Sequence, residues 1–309
     1  MAQVTLPLPI PKLAAPQQPR TVWGEAWRRF RKNRMAMAGA AVLVLLILAV
    51  IVGPTIYTNS PTASDFAHAQ QTPSTQFPLG TDDLGRDMLA RALIGGRVSL
   101  AVGITAMLIS ILLGTLVGAM AGFFGGWVDI ILMRITDMFL ALPVLAVVLL
   151  IGSLYRDPLK AVLGPNIGIF VLVVVVIGIL QWMGTARLVR GSFLSLKERE
   201  FVEASHALGQ GNVAIMLQHI LPNSLGPIVV SATLNVGSAI ITESVLSFLG
   251  QGLPSDVPTW GSLLFENKEF LQLAPHLVIW PGLAIFITVL CVNYLGDGLR
   301  DALDPRQRK

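Results

Sequence analysis

The chain has 309 residues, 53% of them hydrophobic and only 13% charged, with a mean hydropathy of +0.69. Soluble domains average about 25% charged residues, so this composition excludes an ordinary water-soluble domain and points to a multi-spanning membrane protein. The single cysteine, Cys291, excludes a disulfide framework or a thiolate metal site, and the net charge of +4 comes from basic residues flanking apolar runs rather than from a nucleic-acid surface.

Residues 1–20 are proline-rich with little to bury and read as disordered, without the pattern of a cleaved signal peptide. In WGEAWRRFRKNR, Trp23, Trp27 and Phe30 fall at i, i+4 and i+7 among basic residues. Two readings stand: an amphipathic helix lying on the cytoplasmic leaflet, or a basic flank that only fixes topology.

A helix needs about 20 mostly apolar residues to cross about 30 Å of hydrocarbon. Six runs qualify: 35–57, 98–123, 130–154 with Pro143 inside it, 167–183, 227–249 and 277–295. The alternation of a membrane β-barrel is absent, so the expected fold is an all-α bundle of six spans. With the N-terminus inside, sixteen of the 22 Lys and Arg fall on the cytoplasmic side and six (Arg86, Arg91, Arg97, Arg156, Lys160 and Lys268) on the other. Both termini are therefore expected in the cytoplasm. The organisation is a tail and interfacial helix over 1–34, a first span over 35–57, a periplasmic segment over 58–97, a five-helix domain over 98–299 with a cytoplasmic loop at 184–226, and a C-tail over 300–309.

Between the first two spans, Thr81 is positioned to cap a helix that starts with Asp82 and Asp83. A calcium site from Asp82, Asp83 and Asp87 lacks the remaining ligands of a calcium loop. Asp129, Arg134 and Asp137 sit at the inner end of the third span. A charge at mid-bilayer costs about 2.5–3.5 kcal/mol or more, which favours an ion-paired rim, with Arg134 and Asp137 on one face, over a proton relay. In the fifth span Ser231, Asn235, Ser238 and Thr242 recur at helical spacing, with Glu243 beside them. This stripe suits either inter-helix hydrogen bonding or the wall of a translocation path. Asp297, Arg300 and Asp301 end the sixth span as rim contacts.

The largest polar interruption is EASHALGQGNVAIMLQHILPN, 203–223. A helix from Arg187 to about Leu208 is expected to end at Gly209, and a second, over 213–221, to be halted by Pro222. Small residues at the turn and the charge of Glu203 suit docking onto a partner. An ordinary helical loop is the plain alternative.

This stretch resembles the EAA signature of ABC-importer permeases. Glu203, Ala204, Ala207, Leu208, Gly209, His219 and Pro222 fall in the pattern, and Ser205 stands where a second alanine is usual. PLGTDDLGRDML, RVSLAVG, GGWVD, ESVLSFLG, PTWG and LGDGLRDALDPR follow in the order of the dipeptide, oligopeptide and nickel branch. The resemblance covers about residues 25–306. It implies a type I ABC importer permease fold in a bacterial inner membrane, with 203–209 as a coupling helix. The implied partners are a second homologous permease, two ABC ATPase subunits that hold ATP and Mg, and an extracytoplasmic solute-binding protein. It also implies a short-peptide substrate, with nickel chelates and glutathione as alternatives.

The chain itself is expected to bind no cofactor and no metal, since it has neither GxxxxGK[ST] nor HExxH and His68, His206, His219 and His276 are scattered. It should hydrolyse nothing by itself. The competing classes are a self-sufficient proton-coupled transporter and a membrane enzyme. Neither requires the 203–223 element.

Overall fold

The computed structural model describes residues 22–303. The proline-rich tail and Arg306, Arg308 and Lys309 lie outside them, as does the Trp23 side chain. Twelve α-helices are described: α1 Val22–Phe30, α2 Arg34–Ile56, α3 Met88–Phe124, α4 Gly126–Ala141, α5 Val144–Leu163, α6 Pro165–Ile179, α7 Trp182–Lys197, α8 Glu200–Ala207, α9 Asn212–Ile215, α10 Leu221–Phe248, α11 Trp260–Asn267 and α12 His276–Leu303. Among the described residues the β-type pairing is a single bridge, Thr81 to Asp87.

Among the described residues, five helical stretches are long and apolar enough to cross a membrane: 34–56, 88–124, 165–197, 212–248 and 276–303. The third expected span is instead two helices, α4 and α5, bent 85° from each other. The cause is local. Pro143 clashes with a helical residue before it, and Leu142 accordingly takes an extended ψ of 134°. Together α4 and α5 complete a count of six only if read as one broken span.

The core is built around α3. At 37 residues α3 is about 55 Å long, well beyond a bilayer core. It packs along α7, α10 and α6. Gly114, Gly118 and Gly122 form one ridge of α3 against α7. A Cβ at any of them would come within 2.4–2.7 Å of Thr185, Ala186, Arg190 or Phe193 atoms. Small residues at i, i+4 and i+8 let two backbones approach where hydrophobic burial gives no preference for protein over lipid.

Pro54 inside α2 removes the N–H that would have bonded the Val50 carbonyl four residues earlier. Arg97 of α3 fills the gap: its Nε donates to the Val50 oxygen at 2.6 Å and its Nη2 to Ile51. This contact explains a charge near the end of an apolar helix.

The segment between α2 and α3 is pinned rather than loose. Thr81 does not start a helix. The N-cap is Asp87, whose carboxylate accepts the amides of Leu89 at 2.9 Å and Ala90 at 3.1 Å. The same carboxylate accepts Tyr57 and Asn59 from the end of α2. Asp82 serves a different purpose, pairing with Arg86 at 2.6 Å. Glu266 of α11 accepts both Arg86 and Arg91 at 2.7 Å. Two arginines and two carboxylates thus staple this segment to α11.

Candidate functional site

The 203–223 element sits at the end of the bundle that also carries α1 and the C-terminus of α12, since Gly226 lies against Leu303. The long helix expected from Arg187 is broken, because α7 stops at Lys197 and α8 restarts at Glu200 after extended Arg199. Lys197 anchors the break by donating to the Phe123 carbonyl at 2.7 Å, 5.7 Å from that residue's ring centre.

Gly209 ends α8 as expected. Its φ of +79° is left-handed backbone that a side chain disfavours. Its amide bonds His206 O at 2.9 Å and the next amide, of Gln210, bonds Ser205 O at 3.1 Å. This is the paired closure of a Schellman cap, which satisfies carbonyls the helix leaves open. Ser205 is buried, and its hydroxyl donates back to Phe201 O at 2.8 Å.

Pro222 does not halt a helix. After α9 the chain makes a π turn, Met216–Ile220, and runs straight into α10, with Pro222 in the first turn where its missing N–H is tolerated. Gln210, a residue the sequence reading passed over, ties the turn to this π segment. Its Nε2 donates to Gln218 Oε1 at 2.9 Å, and its Oε1 meets His219 Nε2 at 2.8 Å. A side-chain amide eight and nine residues from its partners leaves no periodic signal.

The two sides of the element differ sharply. Val202, Ile215 and Ile220 are wholly buried against Phe123, Val189 and Phe193. Leu208, Val213 and Leu217 are 88%, 64% and 57% exposed. Glu203, Ala204 and Ala207 are exposed beside them. The result is a rigidly seated knob with an apolar tip and one acidic edge.

Charged groups on α4 and α7 brace this end. Asp129 takes a forked pair from Arg190 at 2.5 and 2.6 Å, and Asp137 takes Arg187 at 2.6 Å. Arg134 is exposed and makes no ion pair among the described residues, so the expected Arg134–Asp137 pair is replaced by pairs between helices. Sequence spacing sees only partners on the same helix.

The polar stripe of α10 divides. Ser231 meets Thr185 at 2.9 Å, and Asn235 donates to Ser110 and Thr185 at 3.1 and 3.2 Å, forming a seam between α3, α7 and α10. Ser238 is exposed, and Thr242 accepts Gln181 at 3.3 Å. Glu243 departs from the expectation of a path-lining side chain, because it has no exposed surface. Its carboxylate accepts Ser247 at 2.7 Å and Ser99 at 3.4 Å, and Ser99 in turn accepts the Trp260 amide at 3.1 Å. It fastens α3, α10 and α11 together. Among the described residues no three His, Cys, Asp or Glu gather as a metal-holding group.

Comparison with known proteins agrees with this architecture. Residues 114–309 match the family described as binding-protein-dependent transport system inner membrane component. Residues 21–73 match the N-terminal transmembrane domain of oligopeptide transport permease C. The glutathione transport system permease proteins GsiD of Escherichia coli strain 536 and of Shigella boydii serotype 4 are each 41% identical over 295 residues, spanning 95% of this chain and 94% of theirs. Among solved structures, a chain of the MetNI methionine ABC transporter in inward facing conformations aligns with a TM-score of 0.54 and 18% identity. It covers 70% of this chain and 96% of that one, a likeness of fold. The chain therefore belongs to the family of binding-protein-dependent transport system inner membrane components, as a multi-pass ABC-importer permease subunit.

Proposed function

We propose that this chain forms half of the passage of an ATP-driven importer for short peptides, with the 203–217 knob seated in a groove of an ATPase subunit. The observation that carries the reading is the contrast within one small element. Its buried side is locked by Val202, Ile215 and Ile220, while Leu208, Val213 and Leu217 stand exposed on the other side. An apolar tip on a rigid base gains free energy by entering a partner groove and transmits displacement to α7 and α10. A second permease, two ATPases holding ATP and Mg, and a solute-binding protein complete the assembly, and this chain contributes no catalytic group or cofactor. Both termini lie in the cytoplasm, as the basic residues favour. Glutathione, which the GsiD relatives are named for transporting, is a modified tripeptide and supports the short-peptide class.

The exposed face near Ser238 and Thr242 lines the path in this reading, with Ser231 and Asn235 holding its wall together and Glu243 bracing it from behind. Affinity purification from the native membrane in mild detergent tests the assembly. Recovery of a second permease and two ATPases, with ATPase activity, is expected. A chain recovered alone that still transports overturns the reading.

A further inference from the structure

The amphipathic α1 is not free on a surface; it docks on the end of α12. Ala26 and Phe30 are buried with Ala36 and Ala302. Gly298 admits the close contact, as a Cβ there would lie 2.3 Å from the Ala36 Cβ and 3.2 Å from the Phe30 ring. A tight turn, Lys32 N to Arg29 O at 2.9 Å and Asn33 N to Phe30 O at 3.0 Å, then sends the chain into α2. This packing leaves a cleft of about 400 Å³ lined by Arg29, Lys32, Asn33, Gly298, Asp301 and Ala302.

We infer that this cleft is a headgroup site for one anionic glycerophospholipid of the phosphatidylglycerol type. Among the described residues its lining carries two positive groups and one negative, a net +1 that matches a single phosphodiester. Arg29 and Lys32 present N–H donors suited to phosphate oxygens. Asn33 spends its Oδ1 on the Ala36 amide at 3.2 Å, and its amide nitrogen remains a further donor. Asp301 can accept from the hydroxyls of a glycerol headgroup, which a choline headgroup lacks. The flanking side chains fit the acyl boundary: Trp27 is 59% exposed and stacked on Phe30, and Met35 is 58% exposed. Trp and long apolar side chains at such a depth are the usual membrane-interface anchors. Only the assignment to the cytoplasmic leaflet rests on the orientation proposed above; the cleft does not. Occupancy would fix the angle of α1 on α12, and through Phe30 and Ala36 the entry of α2.

The test uses the full-length protein in detergent, titrated with phosphatidylglycerol, phosphatidylethanolamine and phosphatidylcholine and read by native mass spectrometry. One tightly bound phosphatidylglycerol is expected, which water-soluble glycerophosphoglycerol at the same concentration does not displace. Arg29→Ala with Lys32→Ala removes two direct charge-assisted donors to the phosphate and should weaken that binding on the order of 100-fold. Arg28→Ala with Arg31→Ala removes the same charge from outside the cleft and should weaken it much less. Equal losses in the two variants mean diffuse surface attraction and overturn the site. Equal binding of all three lipids overturns it as well. A photoactivatable phosphatidylglycerol on the unaltered protein needs no variant to fold: crosslinks should map to 29–33 and 298–302, and crosslinks confined elsewhere refute the inference.

Discussion

Leu208 offers the sharpest separation of docking from folding. It is 88% exposed, so almost all of its side-chain burial is still to be gained from a partner. Fully burying a leucine contributes about 1.5–3 kcal/mol, and truncation to alanine removes most of it, about 1–2 kcal/mol. At about 1.4 kcal/mol per factor of ten, Leu208→Ala should weaken ATPase binding roughly 5- to 30-fold. The permease itself should melt as before, since the side chain contributes little to the isolated fold. Ile215, on the buried side of the same element, is the control. Ile215→Ala should cost about 2–5 kcal/mol of local stability by opening a cavity, lowering the melting temperature and docking together. Affinity of the ATPase subunits for nanodisc-embedded permease, paired with thermal unfolding, reads both. Unchanged affinity in Leu208→Ala, or a lower melting temperature in both variants, refutes the argument that the exposed tip is a docking surface.

Other consequences concern the buried polar groups. Glu243→Gln keeps an acceptor for Ser247 and should leave transport nearly intact. Glu243→Leu strands buried hydroxyls at about 1–3 kcal/mol each and should lower the melting temperature; loss of transport in the Gln variant at full stability would instead indicate a proton-carrying role. Glu266→Gln leaves Arg86 and Arg91 short of a countercharge. Breaking such a buried network costs about 3–5 kcal/mol, visible as earlier proteolysis between residues 58 and 87; unchanged protection would show that the staple is dispensable. The hydrogen bond from His68 holds the Asp65 carboxyl below its ordinary range, with the Ala67 amide adding to it. A depressed carboxyl stabilises the fold above its unfolded pKa and loses that contribution as pH falls through the folded value. The protection of the Ala67 amide relative to a free peptide should therefore fall as Asp65 is protonated in acid and hold at neutral pH; protection already lost near neutral pH would contradict the assignment.

Apolar run length was enough to read the long helices, because a bilayer demands it whatever the neighbours are. Gly209 was legible as a helix stop because only glycine takes its left-handed backbone freely. Pro143 marked a disturbance without revealing an 85° bend, since the angle depends on what the two halves pack against. Pro222 misled for the converse reason: a π turn absorbed it, and the chain continued into α10. Partners across helices were invisible. Asp137 reaches Arg187 instead of Arg134, Arg97 answers a carbonyl freed by Pro54, and Glu243 turns inward to Ser99 and Ser247. Spacing along one helix lists the side chains that share a face but not the helix that will cover it. The 203–223 element stands out in the sequence through its motif. Its physical character, a locked base under an exposed apolar tip, needed coordinates.

The central claim is that this chain moves substrate only when ATPases act on its 203–217 knob. Proteoliposomes holding the complete assembly, supplied with a loaded binding protein and a labelled short peptide such as glutathione, test it directly. The account predicts uptake that requires lumenal or external ATP on the ATPase side, is abolished by Glu203→Arg, and is indifferent to an imposed pH gradient. Uptake driven by the pH gradient in vesicles containing this chain alone would contradict it.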